Sequence, residues 1–156
     1  MVRPKATDMK IFDGQKFEWR SLPILEEGEP EKLNFYHGSS AGQSDSRIVQ
    51  VNRYHLFVLG GSQGYPSLLT RDYDVPRSCI RVDLNGGKAK QMRNMLSERL
   101  LFSVCVIGHK IYVIGGRNDK GTLVKVTDYY DIIRDRWHRL PEICDPDVYC
   151  HGMTVE

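Results

Sequence analysis

The sequence predicts an all-β fold built from repeated four-stranded antiparallel sheets, and two internal repeats carry that prediction. Residues 49–61 and 104–116 superpose without a gap, each reading as strand, tight turn, strand and double glycine, at Gly60-Gly61 and Gly115-Gly116. A second pair matches as strictly. Phe12-Asp13 followed by Trp19, Leu22 and Pro23 recurs as Tyr130-Asp131 followed by Trp137, Leu140 and Pro141. Self-similarity at fixed spacing marks an architecture of repeated units, so it governs the reading of each single residue.

The unit is clearest over residues 99–141. Phe102 to Ile107 is a near-continuous apolar run, which suits a strand buried on both faces. Gly108-His109-Lys110 supplies a turn, and Ile111 to Ile114 form a second β-branched and aromatic strand stopped by Gly115-Gly116. After the polar loop Arg117 to Gly121, the residues Leu123, Val124, Val126, Tyr129 and Tyr130 mark a third strand with imperfect alternation. Asp131 to Arg136 is a polar turn, and Trp137 to Leu140 is a short fourth strand. Four antiparallel strands in so short a span make one blade of a β-propeller.

The double glycine, the Tyr130-Asp131 pair and the Trp137 that follows together resemble the kelch repeat, and the resemblance extends over nearly the whole chain. Glycine lets the chain leave the second strand with a positive φ that a side chain would resist. A Trp on the outer strand covers the blade edge with a large apolar area and one N–H to satisfy. The same frame on the middle region sets Val82-Asp83 in the place of Tyr-Asp, Ala89 in the place of Trp and Met92 in the place of Leu, a degenerate copy. An alternative third strand marked by Tyr73-Asp74 would put Ile80 at the Trp position.

The chain then divides into residues 8–23, the last two strands of an earlier blade; 24–46, an inter-blade loop; 47–95, the degenerate blade; 96–144, a full blade; and 147–156, the first strand of a further one. A closed propeller takes about four to eight blades. The resemblance therefore implies a kelch-type propeller segment whose ring is completed by other blades or by oligomerisation, with open strand edges that invite pairing.

Composition narrows the function classes. Hydrophobic content of 40% and charged content of 27% suit a globular domain. No apolar run is long enough to span a membrane, and the start lacks the apolar region of a secretory signal. A formal net charge of +2 is too small to imply a nucleic-acid partner. Cys79, Cys105, Cys144 and Cys150 show no Cys-x-x-Cys spacing. Cys105 reads as a small apolar residue of the first strand, while Cys144, Cys150 and His151 lack a fourth ligand and a zinc-like spacing. No metal or cofactor is expected. The lack of an Asn-x-Ser/Thr sequon suits a cytoplasmic location, which is the expectation.

Two insertions interrupt the compact repeat, Pro23 to Ser46 and Ser62 to Pro76, and strand direction sends both to one rim. Loops held by a rigid scaffold are where binding is usually placed. The first is acidic at Glu26, Glu27, Glu29 and Glu31, which equally reads as solvated surface, and then carries Tyr36 and His37. The second offers Tyr65, Arg71, Tyr73 and Arg77, and Tyr and Arg are enriched at binding hot spots. The resemblance adds Arg117 and Asn118, which follow the double glycine on that rim, and Arg99, at a family position near the central channel.

The resemblance implies a non-catalytic module for a protein or peptide ligand, in many relatives the substrate-recruiting arm of a cullin-type ubiquitin ligase adaptor. The alternative is a structural or scaffold subunit, actin-binding included, of a larger assembly. A remoter one is a copper enzyme resembling galactose oxidase. The histidines His37, His55, His109, His138 and His151 are scattered among turns, an outer strand and loops, and no nucleophile elbow, phosphate loop or His-Glu-x-x-His motif is present. An enzyme is therefore not expected.

Overall fold

The computed structural model describes residues 7–13, 16–26, 46–60 and 77–142. Within them run the strands β1 (Thr7–Asp13), β2 (Glu18–Glu26), β3 (Arg47–Gln50), β4 (His55–Leu59), β5 (Cys79–Asp83), β6 (Lys88–Gln91), β7 (Ser103–Ile107), β8 (Lys110–Ile114), β9 (Val126–Asp131) and β10 (Arg136–Glu142). No helix occurs among the described residues. The strands form a four-stranded sheet in the order β10-β9-β8-β7 and a six-stranded one in the order β1-β2-β6-β5-β4-β3.

The last blade is an antiparallel meander. β7 and β8 close through Gly108-His109, with Ile107 opposite Lys110, and Gly108 adopts the φ of +59° that so short a hairpin needs. β9 begins at Val126 rather than at Leu123. The reason is local: Leu123 bridges to Arg117 and Val124 N–H donates to Gly116 O at 2.9 Å, so both serve the loop instead of the sheet. Trp137 lies opposite Tyr130, and its Nε1 donates to Arg93 O at 2.7 Å, which satisfies the donor that outer-strand burial would strand.

The middle blade repeats this plan with two departures. Val82 lies opposite Ala89, as Tyr130 lies opposite Trp137 and Phe12 opposite Trp19. The tight turn expected between β3 and β4 is instead a four-residue connection, residues 51–54. Arg53 stands where the last blade has Gly108, so the chain opens; Asn52 Oδ1 then accepts from Tyr54 N–H at 2.8 Å and His55 N–H at 2.9 Å. The β3–β4 register consequently shifts by one position relative to β7–β8, with Arg47 rather than Ile48 opposite Leu59.

β1 and β2 form a hairpin of their own, and β2 then runs parallel to β6, with Leu25 opposite Lys88 and Glu26 opposite Ala89. Strand therefore continues through Glu26, into the stretch expected to begin a loop at residue 24, because the exposed edge of β6 offers hydrogen-bonding groups to it. The rest of the expected inter-blade loop to residue 45, the insertion from 62 to 76 and the expected strand at 147–156 lie outside the described residues.

Two apolar clusters sandwich the middle blade. On one face Leu56, Val58, Ile80, Val82, Leu84 and Ala89 gather with Leu22 of the hairpin. On the other, Phe57, Leu59 and Cys79 meet Ile111, Val113 and Tyr130 of the last blade, with Met95 and Phe102 from the crossing between them. The Phe57 and Tyr130 rings lie 5.8 Å apart in a tilted pair. Both faces being covered explains the unbroken apolar run of β4, each fully buried side chain contributing about 1.5–3 kcal/mol. The expectation that β7 is buried on both faces needs correcting. Val104 and Val106 pack on the cluster only partly, Cys105 is half-buried and Ile107 is 61% exposed, since among the described strands β7 meets only β8 beside it and β3 across the blades.

Candidate functional site

The rim at the ends of β4 and β8 and the starts of β3, β5, β7 and β9 collects the candidate residues, and each is placed by the backbone beneath it. Arg99 is wholly buried. Its Nη2 pairs with Asp128 Oδ2 at 2.5 Å, while Nη1 donates to Gly115 O at 3.0 Å and Val126 O at 3.1 Å. Burial pushes the Arg99 guanidinium below its ordinary range, and the Asp128 charge opposes that shift. Arg139 joins from β10, Nε to Asp128 Oδ1 at 3.0 Å and Nη2 to Ser97 Oγ at 2.6 Å, and its guanidinium is raised by the bond to Asp128.

Arg99 thus ties the crossing before β7 to the double-glycine bend and to β9. A contact role is corrected to an internal one, because a side chain with no exposed surface has none to offer a ligand.

Arg117 and Asn118 remain at the rim. Arg117 shares a two-bond bridge with Leu100, Leu100 N–H to Arg117 O at 2.7 Å and Arg117 N–H to Leu100 O at 2.9 Å, and its Nη1 donates to Gly121 O at 2.7 Å. Asn118 organises the loop: its Oδ1 accepts from Lys120 N–H at 3.1 Å and Thr122 N–H at 2.8 Å. Asn118 therefore shapes the loop from which half-buried Arg117 and exposed Lys120 project. Arg77 is exposed at the start of β5, and its carbonyl accepts Met95 N–H at 2.8 Å, which anchors the crossing. Tyr36, His37, Tyr65, Arg71 and Tyr73, as well as Cys144, Cys150 and His151, lie outside the described residues.

One rim residue escaped the sequence reading. Leu101 sits between the Leu100–Arg117 bridge and β7 with a φ of +54° and 54% of its surface exposed. A leucine held in the left-handed region is strained by about 1–2 kcal/mol, and such strain recurs at binding sites. Nothing local signals it, because Leu101 simply precedes the apolar run that begins at Phe102. Asp128 and Arg139 were missed for a similar reason: their partner Arg99 is brought to them by the sheet, not by spacing. Chemically, the rim offers an exposed apolar side chain at Leu101 and a half-buried guanidinium at Arg117, whose Nη1 is held by Gly121 O.

Residues 98–142 match the Kelch motif family. The chain is 30% identical over 105 residues to an F-box/kelch-repeat protein of Arabidopsis thaliana, covering 64% of this chain and 27% of the relative. It is 27% identical to the F-box/kelch-repeat protein SKIP30 of the same plant, covering 94% of this chain and 39% of the relative. Human Kelch-like protein 15 is 32% identical over 111 residues, 69% of this chain and 17% of the relative. The chain thus spans less than half the length of these curated relatives. Among solved structures, that of YjhT superposes with a TM-score of 0.63 at 14% identity, covering 91% of this chain and 45% of that one, a likeness of fold.

Proposed function

This chain belongs to the kelch-repeat proteins, and from that premise we propose that it is a non-catalytic protein-binding module whose rim takes a peptide or protein segment. The observation that carries the reading is Leu101, an exposed apolar side chain in strained backbone, which follows directly on the Leu100–Arg117 bridge at the foot of a loop pre-organised by Asn118. Strained, exposed leucine has no stabilising role of its own, whereas an apolar anchor beside a cation is what a hot spot needs. The F-box/kelch-repeat and Kelch-like names of its relatives support a finer role, the substrate-recruiting part of a cullin-type ubiquitin ligase adaptor.

Leu101→Gly separates contact from scaffold. Glycine relieves the positive φ, so the variant unfolds at the same or a higher urea concentration, by up to about 1 kcal/mol. Proteins co-purifying with the tagged full chain from cells should fall at least about tenfold for Leu101→Gly and for Arg117→Ala, as expected of hot-spot residues. Lys125→Ala, an exposed residue on the same loop, should leave them unchanged. Equal recovery with all three variants rules the rim out as the contact surface.

A further inference from the structure

The turn that joins β5 to β6 repeats the one between β9 and β10, with Asp83 in the place of Asp131, Asn85 of Ile133, Gly86 of Arg134 and Gly87 of Asp135. Each turn includes a residue of positive φ, +67° at Gly87 and +51° at Asp135. In the last blade Asp131 Oδ1 accepts from two amides, Ile133 N–H at 3.1 Å and Arg134 N–H at 3.0 Å. In the middle blade Asp83 Oδ1 accepts from Asn85 N–H alone, at 2.9 Å. Gly86 N–H has no hydrogen-bond partner among the described residues, and neither has the side-chain amide of Asn85. Both residues are exposed.

The other asparagines of the described residues are held. Asn52 Oδ1 accepts from Tyr54 N–H and His55 N–H, Asn118 Oδ1 from Lys120 N–H and Thr122 N–H, and Asn94 Oδ1 from Gln91 Nε2 at 3.0 Å. After Asn94, the Met95 N–H donates to Arg77 O at 2.8 Å, so the following amide is engaged as well. These three asparagines precede Arg53, Asp119 and Met95, whereas Asn85 precedes a glycine. A residue without Cβ gives its nitrogen the widest range of approach to the preceding side chain.

We propose that Asn85-Gly86 is a covalent modification site, converted spontaneously to isoaspartate and aspartate with water as the co-reactant. The Gly86 nitrogen attacks Asn85 Cγ, closing a succinimide ring; the Cγ–Nδ2 bond breaks, and Nδ2 leaves as ammonia with the proton that Gly86 gave up. Water then opens the ring. Hydrolysis at Cγ leaves aspartate in a normal chain, and hydrolysis at the Asn85 main-chain carbonyl leaves isoaspartate, with the chain routed through Cβ and Cγ. Either product replaces a neutral amide by a carboxylate and lowers the formal net charge from +2 to +1. Isoaspartate also inserts a carbon into the loop closed by Gly87 N–H to Asp83 O at 2.8 Å, which loosens the turn. The site lies at the opposite end of β5 from the rim.

The test ages the folded full chain at neutral pH and follows each asparagine by peptide mapping in a mass spectrometer. Isoaspartate is counted separately, by the labelled methyl group that an isoaspartyl methyltransferase transfers to it from S-adenosylmethionine. Asn85 should convert at least about tenfold faster than Asn52, Asn94 and Asn118, a difference in barrier that follows from the freedom of both reacting groups. In Gly86→Ala an added Cβ meets Asp83 Oδ2 and Lys88 Cγ at 3.9 Å, ordinary contacts that the fold accepts. That variant should convert at least about fivefold more slowly than the parent. Asn85→Gln, which must close a larger ring, should lose most of the methyl label, and circular dichroism checks that both variants fold. Conversion at Asn85 no faster than at the three held asparagines overturns the proposal. So does conversion that appears only once urea has unfolded the chain, which would show that the turn protects the site, or a label unchanged in Asn85→Gln.

Discussion

Gly115→Ala and Gly116→Ala place the same methyl group on adjacent residues, and the geometry predicts different consequences. Gly115 has a φ of +63°, and the nearest atom to an added Cβ is Val124 O at 3.9 Å, an ordinary contact. Alanine there bears only the left-handed backbone penalty, about 1–2 kcal/mol. Gly116 has a φ of +95°, and its Cβ would stand 2.6 Å from Leu100 O, 3.0 Å from Phe102 Cβ and 3.2 Å from Phe102 Cα. These are backbone and near-backbone atoms that cannot swing aside.

The crowded oxygen is the acceptor of the Arg117 N–H bond at 2.9 Å, and Leu100 N–H returns a bond of 2.7 Å. Displacing Leu100 forfeits both, about 0.5–1.5 kcal/mol each, on top of the backbone term. Gly116→Ala should cost about 2–5 kcal/mol in all, roughly 1–3 more than Gly115→Ala. Urea unfolding followed by circular dichroism reads the difference: with a slope of about 2 kcal/mol per molar, the Gly116→Ala midpoint falls by about 0.5–1.5 M relative to Gly115→Ala. Variants within about 0.5 kcal/mol of each other would refute the steric reasoning, and with it the claim that this close approach positions Arg117.

Two further outcomes follow from the polar network. Asp128→Ala leaves the buried Arg99 guanidinium with only its bonds to Gly115 O and Val126 O, and should cost about 3–5 kcal/mol in denaturant unfolding. Adding Arg99→Met should recover much of that loss, and a double variant as unstable as the single one would show that the charge is not what hurts. Asp131 is held down to about 2 from an ordinary 3.8, first by the Arg134 side chain at 2.8 Å and then by the Arg134 amide at 3.0 Å. A depressed carboxyl stabilises fully above its ordinary value and loses that contribution as pH falls from 3.8 through 2, so thermal unfolding of Asp131→Asn should be flatter across that window than the parent's. Parallel profiles would remove Asp131 from the acid response.

Much of the fold was legible because its signals are carried by neighbours in the chain. The apolar run before Gly115, the turn at Gly108 and the Tyr130–Trp137 spacing each fix a strand or its end through local propensity, and Trp137 does face Tyr130. The same repeat misled at Val51 to Tyr54, where equal spacing hid a wider turn because Arg53 replaces Gly108. The candidate site was less legible. Arg117 and Asn118 do lie on the rim to which the motif assigned them, but Arg99 is enclosed, and neither Leu101 nor the Asp128–Arg139 pair was seen.

The amino-acid order by itself determined the repeating four-stranded unit, since strand period and turn chemistry depend on residues a few positions apart. Only the tertiary structure decided that Arg99 is enclosed, that Leu101 is strained and exposed, and that β6 carries β2 along its edge. Burial, backbone strain and edge pairing depend on what lies across space, which spacing along the chain does not encode.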